Sequence, residues 1–282
     1  MQNKTVVITG ATSGIGEVAA ERLAGMGARV VAVARDPAKA DALLGRLKAI
    51  APDRPHRGLI ADLSRLSEMK RVAGEIAASE PRVDVLMNNA GAIFANRCLT
   101  EDGLERTFAL NHMSYFVMTL MLRERLLASV PARIVNTASD AHRAGRLYID
   151  DLQVERRRYK PFTVYGTSKL CNILFTRELA KRFVGTGVSA NCAHPGFVAT
   201  RFGDQAGGLY TTGIRIAKSI AAITPEKGAE RIVQLAVSPD LAHTSGYYFE
   251  KGKIARPSAQ ASDDTLARRL WEESERIAGL AW

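Results

Sequence analysis

One junction limits the folds open to this chain more than any other feature. The apolar run Thr5-Val6-Val7-Ile8 leads into Thr9-Gly10-Ala11-Thr12-Ser13-Gly14-Ile15-Gly16. A segment follows at once in which Val18, Ala19, Arg22, Leu23 and Met26 recur at helical steps until Gly27. A strand that turns on glycines directly into a helix brings backbone N–H groups and the positive end of the helix dipole to one point. A pyrophosphate fits there, because glycine lets a ligand approach the backbone. The spacing is G-x-x-x-G-x-G rather than the commoner G-x-G-x-x-G.

The same alternation continues along the chain. β-branched runs recur at Arg29–Val33, Val83–Met87 and Arg133–Asn136, and further strands are expected near His56–Ala61 and at Val188–Ala193 and Tyr247–Phe249. Helical patterns separate them: one after Asp62, a long one over Glu101–Ser129, then Thr163–Val184 and Pro225–Val237. A last helix, Asp263–Ala278, closes the chain. Strand and helix at this pitch imply βαβ units and a parallel sheet. No linker or repeat divides the 282 residues, so one α/β domain over 1–282 is expected: a doubly wound, mostly parallel seven-stranded sheet with helices on both faces. Two irregular stretches stand out, Ala141–Phe162 and the glycine-rich Arg201–Gly213; a substrate lid is expected within about 201–222.

Composition removes other classes. With 46% hydrophobic and 24% charged residues the chain is neither disordered nor collagen-like. Three cysteines at no metal-binding spacing speak against a disulfide framework or a metal site. The net charge of +10 is densest at Arg156-Arg157-Arg158-Tyr159-Lys160, yet no nucleic-acid recognition motif accompanies it. Neither a secretory h-region nor a run approaching about 18 apolar residues is present, so a cytoplasmic protein without an integral membrane span is expected.

Tyr165 and Lys169 are four apart on an amphipathic pattern continued by Leu170, Ile173 and Leu174, so both side chains share one helix face. A neighbouring ammonium stabilises a phenolate and makes a tyrosine a usable acid–base group. The spacing recurs at Tyr247 and Lys251, but on a short strand, where it reads as structural. His112, His142 and His194 have no metal-ligand spacing and read as structural or rim residues.

Together these segments resemble the short-chain dehydrogenases/reductases over nearly the whole chain, and imply their Rossmann-type fold. The resemblance rests on the Thr9–Gly16 turn, Asp62-Leu63, Asn88-Asn89-Ala90-Gly91, Asn111, Ser139, Tyr165 with Lys169, and Pro195-Gly196-Phe197-Val198-Ala199-Thr200. It implies a catalytic set of Tyr165, Lys169, Ser139 and Asn111, with Asn111 holding a water beside the lysine. It also implies a nicotinamide dinucleotide held by Gly10, Thr12, Ser13, Gly14, Ile15, Gly16, Asp62, Leu63, Asn89, Ala90, Gly91, Pro195, Gly196, Val198 and Thr200, besides Tyr165 and Lys169. In the family an acid at the position of Ala34 selects NAD and a base at that of Arg35 selects NADP. Arg35 therefore points to NADP(H), although Asp36 leaves NAD(H) open and Glu17 departs from relatives with a base there.

The strings Ser139-Asp140-Ala141-His142, Thr224-Pro225-Glu226-Lys227-Gly228-Ala229 and Arg269-Leu270-Trp271-Glu272-Glu273-Ser274 are similar to the retinol dehydrogenase-like and WW-domain oxidoreductase-like branch. The expectation is an NADP(H)-dependent oxidoreductase interconverting an apolar alcohol and its aldehyde or ketone. The alternatives are a non-catalytic dinucleotide-binding sensor or scaffold, and an NAD(H)-preferring dehydrogenase. Many relatives pair through the helices matching Glu101–Ser129 and Thr163–Val184, so a homodimer is considered. Arg106, Arg123, Arg125, Arg177 and Lys181 dilute that surface.

Overall fold

In the computed structural model, which describes residues 1–196 and 223–282, the strands sort their side chains by alternation. Val6 and Ile8 of β1 (Thr5–Thr9) enter one core, and Val7 enters the other. β2 (Arg29–Ala34) sends Val30 and Ala32 to the first face and Val31 and Val33 to the second. A strand with a period of two, apolar on both faces, is what a sheet covered by helices on both sides requires.

The remaining parallel strands are β3 (Arg57–Ile60), β4 (Val85–Asn88), β5 (Ala132–Thr137), β6 (Val188–His194) and β7 (Tyr248–Glu250). The order across the sheet is β3-β2-β1-β4-β5-β6-β7-β8. The seven expected strands are all parallel, and a two-residue β8 (Lys253–Ile254) adds an antiparallel edge. Lys251 and Gly252, at φ 51° and 77°, form the tight turn between β7 and β8. The second Tyr-x-x-x-Lys therefore lies on a hairpin, with Tyr247 exposed.

α1 (Gly14–Gly25), α2 (Pro37–Ile50) and α8 (Pro225–Val237) cover one face. α3 (Leu66–Ser79), α5 (Ser114–Met121) and α7 (Pro161–Arg182) cover the other. The long helix expected from Glu101 starts later and is broken. Gly103 at φ 74° turns the chain first, and the Glu105 carboxylate then caps α4 (Arg106–Phe108) through the N–H groups of Thr107 and Phe108. A π-helical turn over Ala109–Met113 precedes α5, and α6 (Arg123–Leu127) follows a break at Leu122.

α9 (Asp264–Ala278) packs on α5 and α7. Trp271 stacks on Phe175 at 5.8 Å and meets Phe116 edge-on at 5.0 Å. Three of the five basic residues of the expected pairing surface turn to the chain's own C-terminal segment. Arg177 and Lys181 pair with Asp264, and Arg123 lies over Trp282. Among the described residues no helix is long and apolar enough to cross a membrane.

The chain crosses from one face to the other between β1 and β4. Ligands in open α/β sheets bind beyond the carboxyl ends of the strands at such a switch point.

Candidate active site

At the end of β1 the backbone leaves no room for side chains. Gly10 sits at φ 67° with its missing Cβ 2.8 Å from Ala90 Cα, and Gly14 is at φ 56°. A Cβ on Gly16 would lie 2.3 Å from the Gly10 carbonyl and 2.5 Å from Asn89 Nδ2. Asn89 fixes the turn by donating from Nδ2 to the carbonyls of Thr9 and Gly10, each at 3.2 Å. The Thr9 hydroxyl accepts the backbone N–H groups of Asn89 and Ala90 at 3.0 and 3.1 Å. Thus β4's Asn-Asn-Ala-Gly segment and the glycine turn form one unit. Ser13, at the N-cap of α1, is exposed and makes no side-chain cap. The helix end keeps free N–H donors for an anion, so the dinucleotide implied by these motifs fits this turn.

At the adenosine end, Arg35 follows β2 directly; it is exposed, with no ion pair among the described residues. Asp36, the competing reader of the ribose, is occupied. Its carboxylate caps α2 by accepting Lys39 N at 3.2 Å, and it pairs with Lys39 Nζ at 3.6 Å. Glu17 is paired with Arg46. The Asp62 carboxylate accepts the N–H and hydroxyl of Ser64 through one oxygen, Oδ1, and Leu63 is buried beside it.

The third group lies past β5. Lys169 and Tyr165 occupy one face of α7, both buried. Lys169 Nζ donates to the Thr137 carbonyl at 2.9 Å and stands 5.7 Å from the Tyr165 ring centroid. Burial lowers the Lys169 ammonium to about 7. Burial also pushes the Tyr165 phenol well above its ordinary value, and the neighbouring Ser139 side chain draws it partly back. The depressed tyrosine expected from the Tyr–Lys spacing is therefore absent from the residues alone. Lys169 turns to a carbonyl, and each buried group resists its charged form.

Asn111 sits in the π-helical turn, a local widening frequent at functional sites. Its amide bonds both backbone groups of Ala92 at 2.9 Å and donates to Ser168 Oγ at 2.9 Å. Gly91 joins this corner to the lysine: a Cβ there would lie 3.2 Å from Asn111 Oδ1 and 3.3 Å from Lys169 Nζ. Ile93 and Ala141 pack against Tyr165 and give it an apolar flank.

Pro195 and Gly196 follow β6, with the Pro195 carbonyl held by Arg231 at 3.0 Å and Gly196 at φ 106°. Val198, Thr200 and the expected lid lie outside the described residues. The structure thus brings Ser139, Tyr165, Lys169, Asn111 and Gly91 into one corner, on the same edge of the sheet as the glycine turn. A cavity of about 400 Å³ bounded by α4, α7 and residues 146–160 contains none of the four expected catalytic residues, although Ser168 lines it.

Two participants escaped the sequence reading. The Thr137 carbonyl carries no residue-type signal. His142, read as structural, is fully buried and bonds the Ser139 backbone; its position three residues after Ser139 is the one available hint. His112 is structural: it bonds Ser274 of α9, and burial lowers it to about 3.

Comparison with known proteins places this geometry. The family model for short chain dehydrogenases matches residues 4–207. Human retinol dehydrogenase 13 is 38% identical over 98% of this chain and 85% of its own length. A solved structure of an uncharacterised protein from Mycobacterium paratuberculosis superposes with a TM-score of 0.80 at 31% identity, covering 99% of this chain and 94% of that one. The Pseudomonas aeruginosa RhlG/NADP active-site complex gives 0.70 at 26% identity, over 95% and 97% of the two chains.

Proposed function

The chain belongs to the short-chain dehydrogenase family, and from that premise we propose that it is an NADP(H)-dependent oxidoreductase interconverting an apolar alcohol and its aldehyde or ketone. The observation that carries the reading is the placement of the Ser139 side chain beside the Tyr165 phenol, with the Lys169 ammonium on the same helix face as that tyrosine.

A bound nicotinamide supplies the hydride in reduction and takes it up in oxidation. The chain's part is to hold the substrate oxygen and move its proton. Ser139 donates a hydrogen bond to the carbonyl oxygen as negative charge grows there. Tyr165, kept protonated by burial, gives its proton to that oxygen, and the Lys169 ammonium stabilises the phenolate left behind. In oxidation the proton returns to Tyr165. Asn111 ties the segment after β4 to α7, which keeps Gly91 against Lys169. Ile93 and Ala141 beside Tyr165 favour an apolar substrate flank.

NADP is preferred because Arg35, a cation with no ion pair among the described residues, follows β2 where the family reads the ribose, while Asp36 caps α2 and Glu17 is neutralised by Arg46. Titration by nicotinamide fluorescence is expected to show tight NADPH and weak NADH binding. Arg35→Ala is expected to weaken NADPH by about tenfold or more, the scale of a lost charge-assisted contact, and to leave NADH within about twofold. Preferential NADH binding by the unaltered protein would overturn the coenzyme assignment.

A further inference from the structure

Ser139 is held from behind through its backbone carbonyl. The His142 imidazole is fully buried, with Nδ1 2.7 Å from the Ser139 carbonyl oxygen. On its other side, Ser258 N donates to His142 Nε2 at 3.1 Å. Since Nε2 accepts, the neutral ring carries its proton on Nδ1 and donates it to Ser139. Two more contacts join the same segments: Arg143 Nη2 donates to the Arg256 carbonyl at 3.0 Å, and the Gln260 amide bonds both backbone groups of Leu147 at 3.2 and 3.4 Å. The stretch after β8 therefore clamps the 3₁₀ turn Asp140–Ala144 that Ser139 caps. Tyr248 packs edge-on against the imidazole at 5.1 Å and limits its rotation.

We propose that His142 is a positioning residue for the proposed reaction, fixing the Ser139 hydroxyl toward Tyr165 through its Nδ1–H bond to the Ser139 carbonyl and anchored in turn by Ser258 of the C-terminal segment. The proposal rests on the reading of Ser139 as the group that polarises the substrate oxygen. A misplacement of about 1 Å at a reacting group costs on the order of a hundredfold in rate, so a remote hydrogen bond can matter this much. The imidazole stays neutral because burial lowers its pKa, which preserves both bonds near neutral pH.

The test compares kcat, KM and NADPH affinity in the full chain for His142→Ala, His142→Asn and His142→Gln, each also combined with Ser139→Ala. Asn places its N–H₂ near the Nδ1 position, whereas Gln reaches only the Nε2 position. His142→Ala is expected to lower kcat about tenfold or more while NADPH affinity stays within about twofold. His142→Asn should recover kcat to within about threefold of the unaltered enzyme, and His142→Gln should not. In the Ser139→Ala background, His142→Ala should cost nothing further, because the residue acts through Ser139. Gln260→Ala, a change at the partly exposed end of the clamp, should show a smaller kcat loss in the same direction and serves where a His142 variant does not fold. Additive effects of Ser139→Ala and His142→Ala, equal recovery by Asn and Gln, or an unchanged kcat in His142→Ala or Gln260→Ala would overturn the proposal. An unchanged kcat in Ser139→Ala alone would instead remove the reading of Ser139 on which it stands.

Discussion

The glycine turn after β1 and the Tyr165 corner after β5 lie on one edge of the sheet and meet ligands in opposite ways. The turn works by what is missing. Three glycines leave no Cβ, Ser13 leaves the start of α1 uncapped, and the ligand-facing surface is backbone. The Tyr165 corner works by what is held. Lys169 is fixed to the Thr137 carbonyl, Asn111 to Ala92 and Ser168, and the Ser139 backbone to His142. A site made of space should fail when atoms are added. A site made of anchored groups should fail when an anchor is removed or pressed aside.

The sharpest way to break this contrast is to add one methyl group at the turn. Gly16→Ala puts a carbon against the Gly10 carbonyl and Asn89, both backbone-anchored, so the turn itself must shift. Overpacking of this kind costs on the order of 1–3 kcal/mol, and NADPH affinity should fall at least about tenfold. Binding within about twofold of the unaltered protein would mean that the turn does not hold the dinucleotide. A second methyl group probes the other end. Gly91→Ala adds an atom at 3.2–3.3 Å from Asn111 and Lys169, a tight contact that flexible side chains relieve in part. Here kcat should fall by about tenfold with little loss of stability, since the anchored ammonium is displaced. A change confined to melting temperature would assign Gly91 to packing alone.

A further test is a pH dependence of stability. With Lys169 at about 7 in the folded protein against 10.5 in the ordinary case, the unfolded chain binds the extra proton between those values. Stability attributable to this group then rises with pH over that window, by up to roughly 1.4 kcal/mol per unit. Above pH ~10 the raised Tyr165 works the other way, because unfolded tyrosine ionises first. Denaturant unfolding of the unaltered chain and of Lys169→Met across pH 7–10 should give a difference that grows in favour of the unaltered chain. A flat difference would show that Lys169 titrates near its usual value.

The two ends also differed in how far they could be read from residue order. The turn is local, so its spacing and its place between an apolar strand and an amphipathic helix were enough to expect backbone N–H groups of a helix start gathered there. Tyr165 and Lys169 were legible for the same reason, one face of one helix. The groups that hold them were not. The Thr137 oxygen belongs to the backbone and has no residue identity, and Ser258 lies 116 positions from the His142 ring it contacts. The helix over Glu101–Ser129 was overextended because apolar periodicity persists through Leu104, while Gly103 and the Glu105 cap decide where the first turn begins. The homodimer surface was weighed by its charges; Asp264 of α9 pairs with two of them, Arg177 and Lys181, which residue patterns on α5 and α7 alone do not disclose.

The most direct measurement is NADPH oxidation against a panel of apolar aldehydes and ketones, by the unaltered chain and by Tyr165→Phe at saturating NADPH. Positioned acid–base groups contribute about 10²–10⁴ in rate, so Tyr165→Phe should lose at least about a hundredfold in kcat while binding NADPH within about twofold. A variant that keeps more than about a tenth of the activity would contradict the assignment of Tyr165 as the proton donor.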